Sequence, residues 1–292
     1  AYMLIDPSLP KDRIEYMLEN ANSNLLITNS TFDINCTNKL LLDLSIFLHG
    51  TVKENISLSN TNTNNPEIYN DNNDPFCVIY TSGSTGTPKG VELKRIGIIN
   101  LVLSHQKILN TNICENFLST SAVSFDMFIV ENFTPLLSGK TVILANEDEQ
   151  KIPIFLSKLI KKYNVDFILS TPSKISLLLL NDEIGNCLDS VKVLQLGGEI
   201  FSEELYKKLK HFAVNSKIYN GYGPSECSAC SSFKEVINSK EITIGKPILN
   251  TNIYILNIDQ NLLPIGYSGQ ICISGIGVGE GYINNYELTS KS

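Results

Sequence analysis

The sequence predicts an α/β fold of parallel sheets flanked by helices, with an antiparallel β-barrel-like subdomain at its C-terminal end. Three observations carry this. Between residues 141 and 220, apolar strand-like runs alternate with amphipathic helical stretches, the rhythm of a parallel sheet with helices on its faces. From about Glu241 the runs EITIG, NIYILNID and QICISG follow one another with turn residues but no helix between them. Earlier, the apolar run Phe76–Ile79 meets a helix-spaced stretch, Lys94–Leu109, across a segment of glycines and hydroxyls.

Taken in order, Ala1–Ile5 reads as a strand and Asp6–Pro10 as a turn. Lys11–Asn20 reads as a helix with Ile14, Met17 and Leu18 on one face, and Asn24–Thr28 as the next strand. Residues 55–75, dominated by asparagine, read as a solvated surface connection. Strands follow at Thr141–Ala145, Val165–Leu169, Val191–Leu196 and Lys217–Asn220. The helices between them are Ile152–Tyr163, Ser173–Leu180 and Ser202–Phe212. The last is capped by Ser202, with Glu203 and Glu204 in its first turn. The change of rhythm places a boundary near residue 238. It divides an α/β nucleotide- and substrate-binding region, 1–237, from an antiparallel subdomain, 238–292. Both ends fall in mid-element, AYMLIDP and TSKS, as in a piece of a longer polypeptide.

A chain of 292 residues with 42% hydrophobic residues can bury one large core or two smaller ones. A net charge of −7 with scattered basic residues argues against a nucleic-acid partner. No apolar run approaches membrane-spanning length, so a cytoplasmic protein without a membrane partner is expected. The seven cysteines lie far apart except Cys227 and Cys230, and free core thiols in a reducing compartment account for them better than zinc. His49, His105 and His211 sit apart from every motif and read as surface or packing residues.

The segment Tyr80–Val91, YTSGSTGTPKGV, can wrap a phosphate chain. Gly83, Gly86 and Gly90 let the backbone approach, Thr81, Ser82, Ser84 and Thr85 donate, and Lys89 adds a full positive charge. Its spacing fails the P-loop pattern, because Pro88 precedes the lysine and Gly90 follows it. It also fails the Gly-x-Ser-x-Gly elbow, because Ser82 stands two residues before Ser84. A flexible linker is the bland alternative, but linkers are not bracketed by an apolar strand and an amphipathic helix. Asn220–Glu226, NGYGPSE, leaves a strand through a Gly-Pro turn. There Tyr222 can stack on a base, Ser225 can donate to a phosphate oxygen, and Glu226 is a hard ligand of the kind Mg²⁺ prefers. Gly197, Gly198 and Glu199 follow another strand, with a plain strand-to-helix turn as the alternative. Residues 269–282, GQICISGIGVGEGY, read as a structural β segment. Phe125-Asp126 puts a carboxylate in an apolar neighbourhood, which is costly unless a cation meets it.

These segments resemble, in the same order, the motifs of the AMP-forming adenylating enzymes, and the opening AYMLIDPSLPKDRI resembles that of nonribosomal peptide synthetase adenylation domains. The resemblance implies the large N-terminal domain of that superfamily, with amino acid plus MgATP giving aminoacyl-AMP and pyrophosphate. The aminoacyl group would then pass to phosphopantetheine on a partner carrier protein domain beside neighbouring synthetase domains. Thr81, Lys89 and Glu226 would be the catalytic residues, with Mg²⁺ on Glu226. Nucleotide would be held by Thr81, Ser82, Gly83, Ser84, Thr85, Gly86, Lys89, Gly198, Glu199, Asn220, Gly221, Tyr222 and Ser225. Asp126 would take the α-ammonium of the amino acid. Phe125, Met127, Val130, Leu169, Gln195, Gly197, Gly221 and Ala229 would line a largely apolar pocket with one amide, suited to an aliphatic or small polar-tipped side chain. Arg95 and Glu280 stand where many relatives have histidine and arginine. The chain stops before the family's ribose-binding aspartate and lacks its small lysine-bearing C-terminal domain. By itself it is therefore expected to adenylate poorly. An acyl- or aryl-CoA ligase of the same superfamily, or a non-catalytic amino-acid- or nucleotide-binding module, would share the phosphate loop.

Overall fold

In the computed structural model of the chain, the described residues are 1–28, 40–43, 64, 71–81, 87–236 and 241–291. The phosphate-loop residues Ser82, Gly83, Ser84, Thr85 and Gly86 lie outside them, as do His49, most of the asparagine-rich stretch, and residues 237–240 around the expected boundary.

The larger sheet is built from β6 (Asn116–Ser119), β7 (Thr141–Leu144), β8 (Phe167–Ser170), β9 (Val193–Leu196), β10 (Lys217–Tyr222), β11 (Ser232–Glu235) and β12 (Lys246–Pro247). Their spatial order is β12-β11-β10-β9-β8-β6-β7. The run from β7 to β10 is parallel, as the strand–helix alternation predicts, while β11 and β12 add an antiparallel edge. A second sheet, in the order β1-β4-β5-β15, joins β1 (Tyr2–Met3), β4 (Pro75–Thr81), β5 (Lys89–Lys94) and β15 (Gly281–Tyr282). The strands β2 (Leu25–Thr28) and β3 (Leu40–Asp43) form a parallel pair of their own.

Side chains on the parallel strands alternate between two apolar layers, because successive residues of a strand face opposite ways. Leu118, Ile168, Leu194 and Ile218 pack with Leu156, Ile160, Ile175, Leu205 and Leu209 from helices Pro153–Lys162, Pro172–Leu178 and Glu203–Phe212. Phe117, Phe167, Leu169, Val193 and Tyr219 form the opposite layer. That layer meets Leu101 of helix Arg95–Ile108 and Val130 of helix Asp126–Leu137, whose Ile98 and Ile129 also meet Cys77, Ile79, Val91 and Leu93 of the second sheet. Both helices are therefore clamped between two sheets. This explains why Arg95–Ile108 buries residues as varied as Ile98, Asn100, Leu101, Ser104 and His105.

The C-terminal region departs from expectation. Among the described residues 238–292 form no barrel-like subdomain. Glu241–Gly245 is not a strand. Gly245 turns there with φ +84°, so close to Phe233 that a Cβ would lie 2.0 Å from its carbonyl oxygen, and the following Lys246–Pro247 pairs with β11. Only β13 (Thr251–Leu256) and β14 (Gln270–Gly275) pair with each other, while β15 joins the second sheet.

At the N-terminal edge of the parallel strands, Asp166 is 5% exposed and accepts from the backbone N–H groups of Glu115 and Asn116. Lys192 donates to it at 2.9 Å. Removing this carboxylate orphans both N–H groups and leaves the Lys192 ammonium only the Ile113 carbonyl and solvent. Asp166→Ala is therefore expected to lower unfolding free energy by roughly 3 kcal/mol, measured as a reduced midpoint in urea with an unchanged slope.

Candidate active site

The motif residues gather at the opposite, carboxyl edge of the same strands, where open α/β sheets bind ligands. Neighbours β7 and β8 lie on either side of β6, so the sheet changes direction at β6. The chain leaving β6 leads to Asp126, that leaving β8 to Thr171, that leaving β9 to Gly197, and that leaving β10 to Ser225 and Glu226.

Asp126 is the first residue of its helix, and the Ser225 hydroxyl donates to its Oδ2 at 2.5 Å. Burial pushes the Asp126 carboxyl above its ordinary range, partly offset by Ser225, and Glu226 adds its own repulsion. Next to Ser225, the Tyr282 hydroxyl donates to Glu226 Oε1 at 2.6 Å. The Lys89 ammonium lies 5.7 Å from the centre of the Tyr282 ring. Thr81 faces Lys89 across the β4–β5 pair. A cleft of ≈ 170 Å³ opens beside Lys89, lined by Tyr16, Asn20, Thr87, Pro88, Tyr282 and Asn284 among others. The carboxylate at 126 and the ammonium at 89 are thus joined through Ser225, Glu226 and Tyr282.

The turn that carries Ser225 and Glu226 depends on Gly223. A Cβ there would lie 2.5 Å from Cys230 Cα and 2.6 Å from the Ser231 nitrogen. Just beyond, Ser228 and Ala229 both take left-handed φ values, 58° and 70°. Such backbone costs non-glycine residues energy unless held, and the Ser228 hydroxyl holds it by donating to the Gly277 carbonyl at 2.7 Å.

Most of the expected pocket positions come together. Leu169 and Gln195 are register partners on adjacent strands, Val130 and Ala229 belong to the same apolar layer, and Met127 Sδ would meet a Cβ on Gly198 at 3.9 Å. Gly197 packs against Gly221, whose carbonyl oxygen would be 3.1 Å from a Cβ. Three residues are otherwise engaged. Glu199 accepts from the backbone N–H and hydroxyl of Ser173, which hold its carboxyl below the usual range. Asn220 donates to the Thr243 carbonyl, and Phe125 is 61% exposed. Tyr222 ends β10, half-buried, and its carbonyl accepts from Ser231.

Sequence reasoning missed Tyr282 and the Glu131–Lys174 pair. Tyr282 was placed in a purely structural segment. Glu131, 0% exposed, accepts from the backbone N–H groups of Thr120 and Ser121 and from the Ser121 hydroxyl, at 2.8–2.9 Å. Lys174 reaches the Thr120 carbonyl from the other side. Burial raises the Glu131 carboxyl and lowers the Lys174 ammonium. The signal was legible: a second carboxylate inside DMFIVENF, five residues after Asp126, demands buried donors. His105, expected as a surface or packing residue, is fully buried. Among the described residues no group of three His, Cys, Asp or Glu side chains surrounds a metal position, and no helix is long and apolar enough to cross a membrane.

A family model described as AMP-binding enzyme matches residues 1–283. The chain is 34% identical to Gramicidin S synthase 2 of Aneurinibacillus migulanus over 291 residues, covering 99% of this chain and 6% of that protein. It is 36% identical to the PKS-NRPS hybrid synthetase acdB of Aspergillus candidus over 295 residues, covering 99% of this chain and 11% of that one. Its fold matches the crystal structure of the nonribosomal peptide synthetase FmoA3 (S1046A) with a TM-score of 0.87 at 24% identity, over 100% of this chain and 31% of that one. The chain thus spans a small part of each relative.

Because burial favours the protonated Asp126, the ionised form costs folding stability, and that cost appears as pH rises through the raised pKa. Asp126→Asn should therefore leave the melting temperature unchanged at low pH and raise it above wild type at neutral and alkaline pH. Melting curves of both proteins across pH check the sign.

Proposed function

The chain belongs to the AMP-binding enzyme family, and on that premise we propose that it activates an amino acid with MgATP to aminoacyl-AMP and pyrophosphate. The aminoacyl group is then loaded onto the phosphopantetheine of a carrier domain in cytoplasmic nonribosomal peptide synthesis. The observation that supports this best is the continuous line from Asp126 through Ser225, Glu226 and Tyr282 to Lys89. It offers a half-buried carboxylate for an ammonium at one end and a cation for phosphates at the other. FmoA3, whose fold this chain shares, has been crystallised in an α-methyl-L-serine-AMP bound form.

The chemistry needs no general base, since an amino acid's carboxylate is already ionised at neutral pH. It needs the carboxylate placed in line with the α-phosphorus and neutralisation of the spreading negative charge. On this reading Asp126 sets the position of the substrate by binding its ammonium, which also relieves the cost of a buried carboxylate. Lys89 meets the phosphates. Glu226 is the residue that would hold Mg²⁺. One carboxylate with phosphate oxygens suits that hard ion, which neutralises phosphate charge when bound, and Tyr282 fixes the orientation of the carboxylate.

Amino-acid-dependent ATP–pyrophosphate exchange by the full-length protein tests the reading. Asp126→Ala is expected to lower kcat/KM for the amino acid by about 100-fold or more, because it leaves an ammonium unpaired. Tyr282→Phe should raise the KM for MgATP several-fold and leave that for the amino acid near wild type. Equal activation of acids lacking an α-amine, or an unimpaired Asp126→Ala protein, would favour the CoA-ligase alternative. Amino-acid binding without any exchange would favour a non-catalytic module.

A further inference from the structure

His105 and Gln195 form a buried pair beneath the candidate site, 0% and 3% exposed. The imidazole Nδ1 lies 2.9 Å from the Leu101 carbonyl oxygen, and Nε2 lies 2.9 Å from the end of the Gln195 carboxamide assigned as Oε1. A carbonyl oxygen only accepts, so Nδ1 carries a proton. Phe233 stands edge-on to the ring at 5.1 Å, and among the described residues no carboxylate hydrogen-bonds to it, so burial keeps it neutral. The Nε2 of such a ring is an acceptor. The two ends of a carboxamide have the same shape and are told apart by their bonding; an acceptor Nε2 cannot face an oxygen, so the assignment reverses and the end facing His105 is the NH₂.

The amide oxygen then lies at the opposite end, beside Gly221. A Cβ on Gly221 would sit 3.1 Å from this end of the amide and 3.5 Å from Cys230 Sγ, so a side chain at 221 would crowd the amide where glycine does not. Cys230 belongs to the same apolar layer as Val130, with Met127 and Ala229 packed against it, and Met127 directly follows the proposed ammonium anchor. We propose that His105 is a positioning residue. By accepting from the Gln195 NH₂ it aims the Gln195 carbonyl oxygen at the substrate, so the site selects an amino acid whose side chain donates a hydrogen bond, a hydroxyl or an amide, over its apolar isostere. This rests on the amino-acid-activating function proposed above. An apolar side chain would leave a buried acceptor unpaired, and sites built around such a group discriminate far more strongly than apolar pockets do.

The test is pyrophosphate exchange by the full-length protein with the near-isosteric pairs threonine and valine, serine and alanine, asparagine and leucine. The donor-bearing member of the best-activated pair should be preferred by about 100-fold or more in kcat/KM. Gln195→Leu should cut that preference at least 10-fold. His105→Phe should do the same, through KM rather than kcat. Should His105→Phe fail to fold, nitrogen NMR of the wild-type ring replaces it. The Nδ1-protonated neutral tautomer is expected at neutral pH, and a protonated Nε2 would overturn the orientation. Activation of valine, alanine or leucine as well as their partners overturns the selectivity while leaving amino-acid activation standing. Activation of no amino acid at all removes the functional reading and this inference together.

Discussion

One helix, Asp126–Leu137, sets the geometry of the molecule and of its site. Ile129 packs into the second sheet, Val130 into the parallel sheet, and the next residue, Glu131, takes the backbone N–H groups of the loop leaving β6. That loop leads back to the helix and its first residue, Asp126. Burial between two sheets therefore fixes the helix, and the fixed helix fixes the carboxylate that starts it. The buried Glu131 is tolerable because the loop supplies its donors, and the loop is ordered because Glu131 accepts them.

The same economy runs through the rest of the crevice. Polar groups at the carboxyl edge are buried further than their chemistry favours, and each is held by a neighbour from a different segment. Ser225 meets Asp126, 99 residues away in sequence, and Tyr282 meets Glu226, 56 residues away. Such long-range pairs cost ordering entropy that only a well-packed frame can offset. The two apolar layers supply that frame, and Asp166 ties the far ends of the same strands. Strained and desolvated groups also sit at the carboxyl edge. The left-handed Ser228 and Ala229 and the raised Asp126 carboxyl are examples.

Much of this was legible in the sequence, for local reasons. Strand and helix alternation marked the parallel sheet because apolar periodicity is a short-range signal, and helix Lys11–Asn20 has the bounds its spacing predicts. Ser202 caps its helix as its position before two glutamates implies. The motifs at 125–126 and 220–226 announced chemistry because a carboxylate in apolar surroundings and a Gly-Pro turn are unusual in themselves. The run Glu241–Gly245 looked like a strand by composition, and a glycine with positive φ turned it into a corner.

What the sequence determined alone was the class of fold, the order of its elements, and the identity of residues whose chemistry is conspicuous in isolation. What only the tertiary structure decided was partnership. It joined Tyr282 to Glu226, committed Glu199 to Ser173 rather than leaving it free, and paired His105 with Gln195. It also divided the C-terminal strands among three sheets. The physical reason is that periodicity and propensity act over a few residues, whereas a buried hydrogen bond depends on which segments the packing of the core brings within about 3 Å of each other.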